Sequence, residues 1–287
     1  MDRTANQPSL ILNEALKRAS IFLEQNGHDG SLARYYWLML FDWDLTQLVQ
    51  QLQHPIKLED LNVFQSALER IIQDEPIQYI NGYADFMGER FKVTSDTLIP
   101  REDTAGLVEL AIDYLEQSTN AKVLDIGTGT GIIPIMLAKR FSGTDIWACD
   151  ISPAALSVAK ANAQWHDVSV KFVESDLLAA FPADQSFDVI ISNPPYIGED
   201  ELEVMDKSVK KFEPQQALFA KAAGLAIYQR LAADIKRYIQ PNGLILLEIG
   251  YRQGAAVSAI FQKQFSKAEI VVKKDLNGQD RYVIVAL

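Results

Sequence analysis

From about Thr104 onward, short apolar runs alternate with helical segments, and that alternation narrows the possible folds more than any other feature. Lys122–Ile126, Asp145–Cys149, Val168–Val173, Phe187–Ser192 and Gly243–Glu248 are compact apolar runs. Helical stretches such as Pro153–Gln164 and Ala222–Ile239 fall between them. Strands buried on both faces read as nearly continuous apolar runs, and parallel neighbours need a crossover between them. The pattern predicts an α/β domain whose mostly parallel sheet is covered on both faces. Two last runs, Ala268–Lys273 and Arg281–Ala286, flank Asn277-Gly278 with no helix between and predict a closing antiparallel pair.

The first 74 residues carry a different period. Leu12, Ala15, Leu16, Ala19 and Leu23 recur at the spacing of one apolar helical face, as do Val63, Ala67, Leu68 and Ile71 within Leu58–Ile72. Ser31–Val49, rich in Leu, Tyr and Trp, completes a small helical bundle, with Pro55 and Asp74-Glu75-Pro76 as punctuation. Between bundle and sheet, Ala84–Phe86 and Arg90–Val93 flank Met87-Gly88-Glu89, a hairpin pattern with Gly88 in the turn. Three segments follow: a helical domain 1–74, a hairpin linker 75–103 and an α/β domain 104–287.

Charge and composition exclude several functions. The chain carries a net charge of −11, and its first 74 residues hold six Lys or Arg against ten Asp or Glu. A protein that grips phosphates usually needs a basic field, so nucleic acid is not the favoured partner. One cysteine, Cys149, rules out an internal disulfide or a cysteine zinc cluster, and His28, His54 and His166 stand singly. No apolar run approaches the length of a membrane span, and the first residues show neither signal-peptide nor transit-peptide character. A cytoplasmic, metal-free protein is expected.

Three places in the α/β part can carry chemistry. Val123–Ile126 runs into Gly127-Thr128-Gly129-Thr130-Gly131, a G-x-G-x-G turn preceded by an acid, Asp125, with Pro134 tolerated in the first helical turn beyond it. Its third glycine comes one residue too early for a dinucleotide fingerprint, but bare backbone there still suits a nucleotide-type ligand. Asp150 ends the next strand, before Ser152 and Pro153. It can accept from both hydroxyls of a ribose or simply help cap the following helix, and its distance from the glycine turn favours the ribose. Asp176, beside Leu177, falls after the third strand, where an adenine amino group could be read.

The decisive element is Asn193-Pro194-Pro195-Tyr196, directly after the strand Phe187–Ser192. Two prolines stiffen an extended backbone and leave the Pro194 carbonyl free. With the Asn193 side-chain oxygen it forms a pair of acceptors that can hold both hydrogens of an NH2 group, while Tyr196 can stack on the planar face. An amide or aryl amine is a poor nucleophile, and holding its two N–H bonds orients the nitrogen.

With these motifs the sequence resembles the class I methyltransferases and, within them, the HemK/PrmC family of release factor glutamine methyltransferases. The likeness extends from Glu75 to Leu287. It includes Glu75-Pro76-Ile77-Gln78-Tyr79-Ile80, Leu98-Ile99-Pro100-Arg101, Phe212-Glu213-Pro214, Leu246-Leu247-Glu248-Ile249-Gly250 and Lys274-Asp275-Leu276-Asn277-Gly278-Gln279-Asp280-Arg281. The resemblance implies a Rossmann-like seven-stranded sheet and transfer of a methyl group from S-adenosyl-L-methionine, leaving S-adenosyl-L-homocysteine. The acceptor it implies is the N5 nitrogen of the Gly-Gly-Gln glutamine in class 1 peptide-chain release factors. Gly127, Thr128, Gly129, Thr130, Gly131, Asp150, Asp176, Leu177 and Arg101 would hold the cofactor. Asn193 would touch both cofactor and substrate, with Pro194, Pro195 and Tyr196 on the glutamine amide. Where the family reads Pro-Arg-Pro-Glu-Thr, this chain has Pro100-Arg101-Glu102-Asp103-Thr104. Asn-Pro-Pro-Tyr also occurs in adenine-N6 methyltransferases acting on DNA or RNA, the alternative reading.

Overall fold

A computed structural model describes residues 10–118, 120–198, 201 and 205–287. The chain divides into two compact units, the first ending at Asn81 and including Lys207–Phe212, the second formed by the rest from Gly82.

The first unit is helical. It contains α1 (Leu12–Gln25), α2 (Ser31–Phe41), α3 (Leu45–Gln51), α4 (Leu58–Ile71) and α5 (Ile77–Asn81), with α9 (Lys207–Phe212) from farther along the chain. The α1 face read from sequence is the buried one. Ser31–Val49 is two helices: Asp42 takes a left-handed backbone, and Asp44 with Gln47 forms a reciprocal capping box that restarts the chain. On α4 the sequence reading misplaced one residue. Val63 is 48% exposed and Phe64, at 1%, fills the core against Tyr36 and Trp37. Successive helical residues lie about 100° apart, so the bulky ring took the inward place.

The second unit begins with β1 (Tyr83–Phe86) and β2 (Glu89–Lys92), an antiparallel hairpin. Met87 and Gly88 both have positive φ, the two-residue turn whose twist suits a hairpin. Then come α6 (Asp103–Leu115), β3 (Lys122–Ile126), α7 (Ile132–Arg140), β4 (Asp145–Asp150), α8 (Pro153–Trp165), β5 (Lys171–Glu174) and β6 (Phe187–Ser192). The short α10 (Gln215–Leu218), α11 (Ala226–Asp234), β7 (Ile239–Glu248), α12 (Gly254–Gln264), β8 (Glu269–Lys274) and β9 (Asp280–Ala286) complete it. One seven-stranded sheet has the order β5-β4-β3-β6-β7-β9-β8. Strands β3 to β7 pair in parallel and β8 pairs antiparallel with β9, as the sequence predicts, and β9 also pairs antiparallel with β7. Apolar clusters fill both faces, one around Leu124, Phe187, Tyr228 and Phe261, the other around Leu107, Val123, Ile135 and Val189.

Two sequence expectations move. The helix expected over Ala222–Ile239 is α11 followed by a 3-10 turn at Ile235–Arg237, and Ile239 already pairs with Phe187 as the start of β7. Register then shifts before Leu244 meets Val189. That bulge absorbs Pro241 and Gly243 and carries the strand start ahead of the expected Gly243. Among the described residues no helix is long and apolar enough to cross a membrane.

Candidate active site

The sheet order reverses between β3 and β6, whose last residues, Ile126 and Ser192, are register partners. In open α/β sheets that switch point is where ligands bind, outside the carboxyl ends of the strands. The Ser192 hydroxyl donates to the Ile126 carbonyl at 2.7 Å, fixing the two strand ends together. The glycine turn leaves one of them and Asn193 the other. A cavity of about 420 Å³ opens there, within the range of small-molecule sites.

All three turn glycines have positive φ: 76° at Gly127, 53° at Gly129 and 82° at Gly131. A Cβ on Gly127 or Gly129 would meet nothing within 4 Å, whereas one on Gly131 would lie 3.1 Å from Ala159 Cβ. The first two leave bare backbone facing open space, and the third lets α7 pack against α8. The turn is held from behind. Gly127 and Thr128 donate to the Cys149 carbonyl, and the fully buried Asn162 donates to the Thr130 carbonyl at 2.9 Å. Cys149 itself is buried, and desolvation pushes its thiol far above the ordinary range, so it is inert.

Three acids surround the turn. Asp150 lines the cavity, accepting from Gly129 N at 2.9 Å with one oxygen and from Ser152 N at 2.9 Å with the other. It therefore braces the glycine turn and the start of α8, while each oxygen keeps a lone pair for a ligand hydroxyl. Ser152 caps α8 through Ala155 N, with Pro153 in the first turn. Asp176 and Leu177 also line the cavity, Asp176 paired at 2.8 Å with Arg230. Asp125 was read from sequence only as part of the glycine motif. It is 1% exposed, and neither carboxylate oxygen has a hydrogen-bond partner among the described residues. Burial pushes its carboxyl up to about 7, with nearby Thr128 pulling down and Asp150 adding to the rise. Asp125 does not line the cavity, so its carboxylate sits behind the glycine turn and not on the wall.

Across the cavity, Asn193, Pro194 and Pro195 form part of the wall. Asn193 Nδ2 donates to Thr104 Oγ1 at 3.2 Å. No described residue donates to its Oδ1 or to the Pro194 carbonyl. Tyr196, read as a stacking partner, does not line the cavity. Its ring packs against the core by Gly250, and burial pushes its hydroxyl up to about 12. Its carbonyl accepts from Gln253 Nε2 at 2.8 Å. Beneath it, Ala222, Ala223 and Gly224 take left-handed conformations in succession, which lets the chain pass close under that carbonyl.

Residues 14–82 match the PrmC N-terminal domain family, and residues 105–217 match the Methyltransferase small domain family. The chain is 40% identical to the release factor glutamine methyltransferase of Lactococcus lactis, over 95% of this chain and 98% of that one. A Bacillus subtilis protein of the same name is 38% identical over 94% of this chain and 96% of its own. The chain belongs to the release factor glutamine methyltransferase family. Among solved structures, the hMettl16 catalytic domain in complex with a hairpin shares the fold. Its TM-score is 0.54 at 17% identity, covering 68% of this chain and 74% of that one.

In this family member the cavity's rim depends on residues far apart in sequence. Glu213, buried, pairs with Arg101 and accepts from Ile99 N at 3.3 Å, so Arg101 reaches the cavity edge already engaged. Asp103, in the departure from the family's Pro-Arg-Pro-Glu-Thr, pairs with Arg281 at 3.3 Å, and its carbonyl accepts from Tyr282 at 2.6 Å. Glu102 is exposed. Thr104 donates to Glu248, a buried acid that sequence reading carried only as part of a family motif. Thr104 opens α6 and Glu248 ends β7, and the two become neighbours only through the fold.

Proposed function

We propose that this chain transfers the methyl group of S-adenosyl-L-methionine to N5 of the glutamine in the Gly-Gly-Gln motif of class 1 peptide-chain release factors. One observation carries the reading: two acceptors to which no described residue donates, Asn193 Oδ1 and the Pro194 carbonyl, stand at the switch-point cavity that the glycine turn also borders.

The residues present fit the cofactor. Gly127 and Gly129 face open space, and Asp150 lines the cavity with a lone pair still free on each oxygen. Asp150 would take the ribose hydroxyls, Asp176 and Leu177 the adenine side, and Thr128, Thr130, Gly131 and Arg101 the remaining rim. Bound there, the cofactor supplies a methyl group already activated on a sulfonium.

The protein's work is alignment. Asn193 and Pro194 hold the two N–H bonds of the amide and turn its lone pair toward the cavity, while Pro195 stiffens the backbone that presents them. Tyr196, set in the core and fastened by Gln253, anchors the end of that loop. Alignment of reactants can contribute roughly 7–11 kcal/mol to lowering a barrier. The amide proton becomes acidic only as nitrogen gains positive character, so no base has to act first. Residues 1–74 are assigned to recognition of the protein substrate, 75–103 to the link and 104–287 to cofactor binding and chemistry. The PrmC N-terminal domain match, residues 14–82, spans most of the part assigned to recognition and the first residues of the link.

The experiment is incorporation of labelled methyl from S-adenosylmethionine into purified release factor and, in parallel, into DNA. Label in the release factor alone is expected. Label in DNA alone would overturn the reading in favour of the adenine alternative.

A further inference from the structure

The two ends of an asparagine amide have nearly the same shape, and only their hydrogen bonds decide which faces where. Asn193 matters to the proposed reaction only if its oxygen, not its nitrogen, faces the cavity. Something must therefore fix the amide against a half-turn.

A directed chain of hydrogen bonds runs from the core to that amide. Glu248 sits at the carboxyl end of β7, 1% exposed, and its Oε2 accepts from Thr104 Oγ1 at 2.8 Å. Thr104, 2% exposed in the first turn of α6, in turn accepts from Asn193 Nδ2 at 3.2 Å. A hydroxyl has one proton to give. An ionised carboxylate can only accept, so the Thr104 proton is committed to Glu248 and its lone pair faces Asn193. The nitrogen of the amide must then point inward and the oxygen outward.

We propose that Glu248 and Thr104 are positioning residues that lock the Asn193 amide with its oxygen toward the cavity, and so make the site select an NH2 group. The proposal rests on the reading of Asn193 as the acceptor for the substrate amide.

The chain has a polarity that protonation can reverse. Burial pushes the Glu248 carboxyl up to about 7, against the pull of Thr104, Arg281 and Asn193 and with Asp103 adding to the rise. The other titratable groups facing it are the hydroxyls of Tyr196, Tyr228 and Tyr282. All three have raised pKa values and stay neutral through this range. Once protonated, Glu248 can donate to Thr104. The Thr104 proton is then released toward Asn193, where it suits an amide turned the wrong way. Turnover should fall as pH drops through the Glu248 titration.

The test uses the full chain, labelled-methyl transfer to release factor, and three variants. Thr104→Val keeps the shape and removes the hydroxyl, and kcat is expected to fall about ten- to a hundredfold with cofactor affinity unchanged. Thr104→Ser should restore most of the loss. Glu248→Gln should flatten the low-pH limb of the kcat profile, an effect that a purely structural role would not produce. In parallel, the side-chain NH2 resonances of Asn193 in a nitrogen-15-labelled chain should shift with the Glu248 titration and lose that shift in Thr104→Val. Wild-type kcat in Thr104→Val, an unaltered low-pH limb in Glu248→Gln, or Asn193 resonances indifferent to pH would each overturn the inference. Failure of the wild type to label release factor would refute the substrate reading instead, and the resonances would still judge the lock.

Discussion

Gly224→Ala tests whether the loop that carries Asn193 depends on the left-handed turn beneath it. Gly224 has a φ of +79°, and a Cβ there would lie 1.9 Å from the Tyr196 carbonyl oxygen and 2.5 Å from Gln253 Nε2. Real Cβ atoms essentially never come within 3.0 Å of a neighbour, so the carbonyl must withdraw by about 1 Å. That carbonyl is backbone and cannot swing aside as a side chain would. The left-handed backbone costs an alanine roughly 1–2 kcal/mol, and losing the Gln253 bond adds about 0.5–1.5 kcal/mol. The sum, about 1.5–3.5 kcal/mol, should lower Tm by on the order of 5–10 °C for a unit of this size. A misplacement of about 1 Å at a reacting group can cost roughly a hundredfold in rate, so kcat should fall by that order. Calorimetry and labelled-methyl kinetics on the purified variant give both numbers. Gly129→Ala is the control. Its Cβ meets nothing within 4 Å, so it should lose only the roughly 1–2 kcal/mol of the left-handed backbone. A Gly224→Ala variant with wild-type Tm and kcat would refute the reasoning.

Asp150→Asn should weaken cofactor affinity measured by calorimetry while sparing kcat at saturating cofactor, because ribose contacts lie away from the moving methyl. Equal affinity would reduce Asp150 to a brace for the glycine turn. Asp125→Asn should raise Tm above pH 7 and not near pH 4, because a carboxyl raised from 3.8 to about 7 loses folded-state stability as pH climbs between those values. A Tm gain of equal size at both pH values would contradict the buried-carboxylate account. Asn193→Ala should keep the fold and lose most turnover, and near-normal transfer would remove the side chain from the proposed mechanism.

The sheet and the glycine turn were legible because their signals are contiguous. Each parallel strand is a short apolar run, and each switch-point loop follows its strand directly in sequence. What escaped depends on contacts between distant segments. Thr104, Asn193 and Glu248 form one chain only because β6 lies beside β7 and α6 begins over their ends. Nothing local marks Thr104 or Glu248. Asn162 looks like any helical asparagine until its amide is found bridging Lys92 and Thr130. Ala222 and Ala223 are good helix formers that here take positive φ, so propensity pointed the wrong way where the loop under Tyr196 needed a tight reversal. Val63 and Phe64 differ by one helical step, and side-chain bulk rather than periodicity chose between them.

The central claim is that two acceptors select an amide NH2. The most direct measurement presents a release factor with its native Gly-Gly-Gln loop beside one whose loop glutamine is replaced by glutamate, and locates methyl groups on the loop peptide by mass spectrometry. A site that pairs both N–H bonds should methylate the glutamine nitrogen and reject the carboxylate by roughly 10⁴-fold or more. Comparable methylation of the glutamate loop would contradict the account.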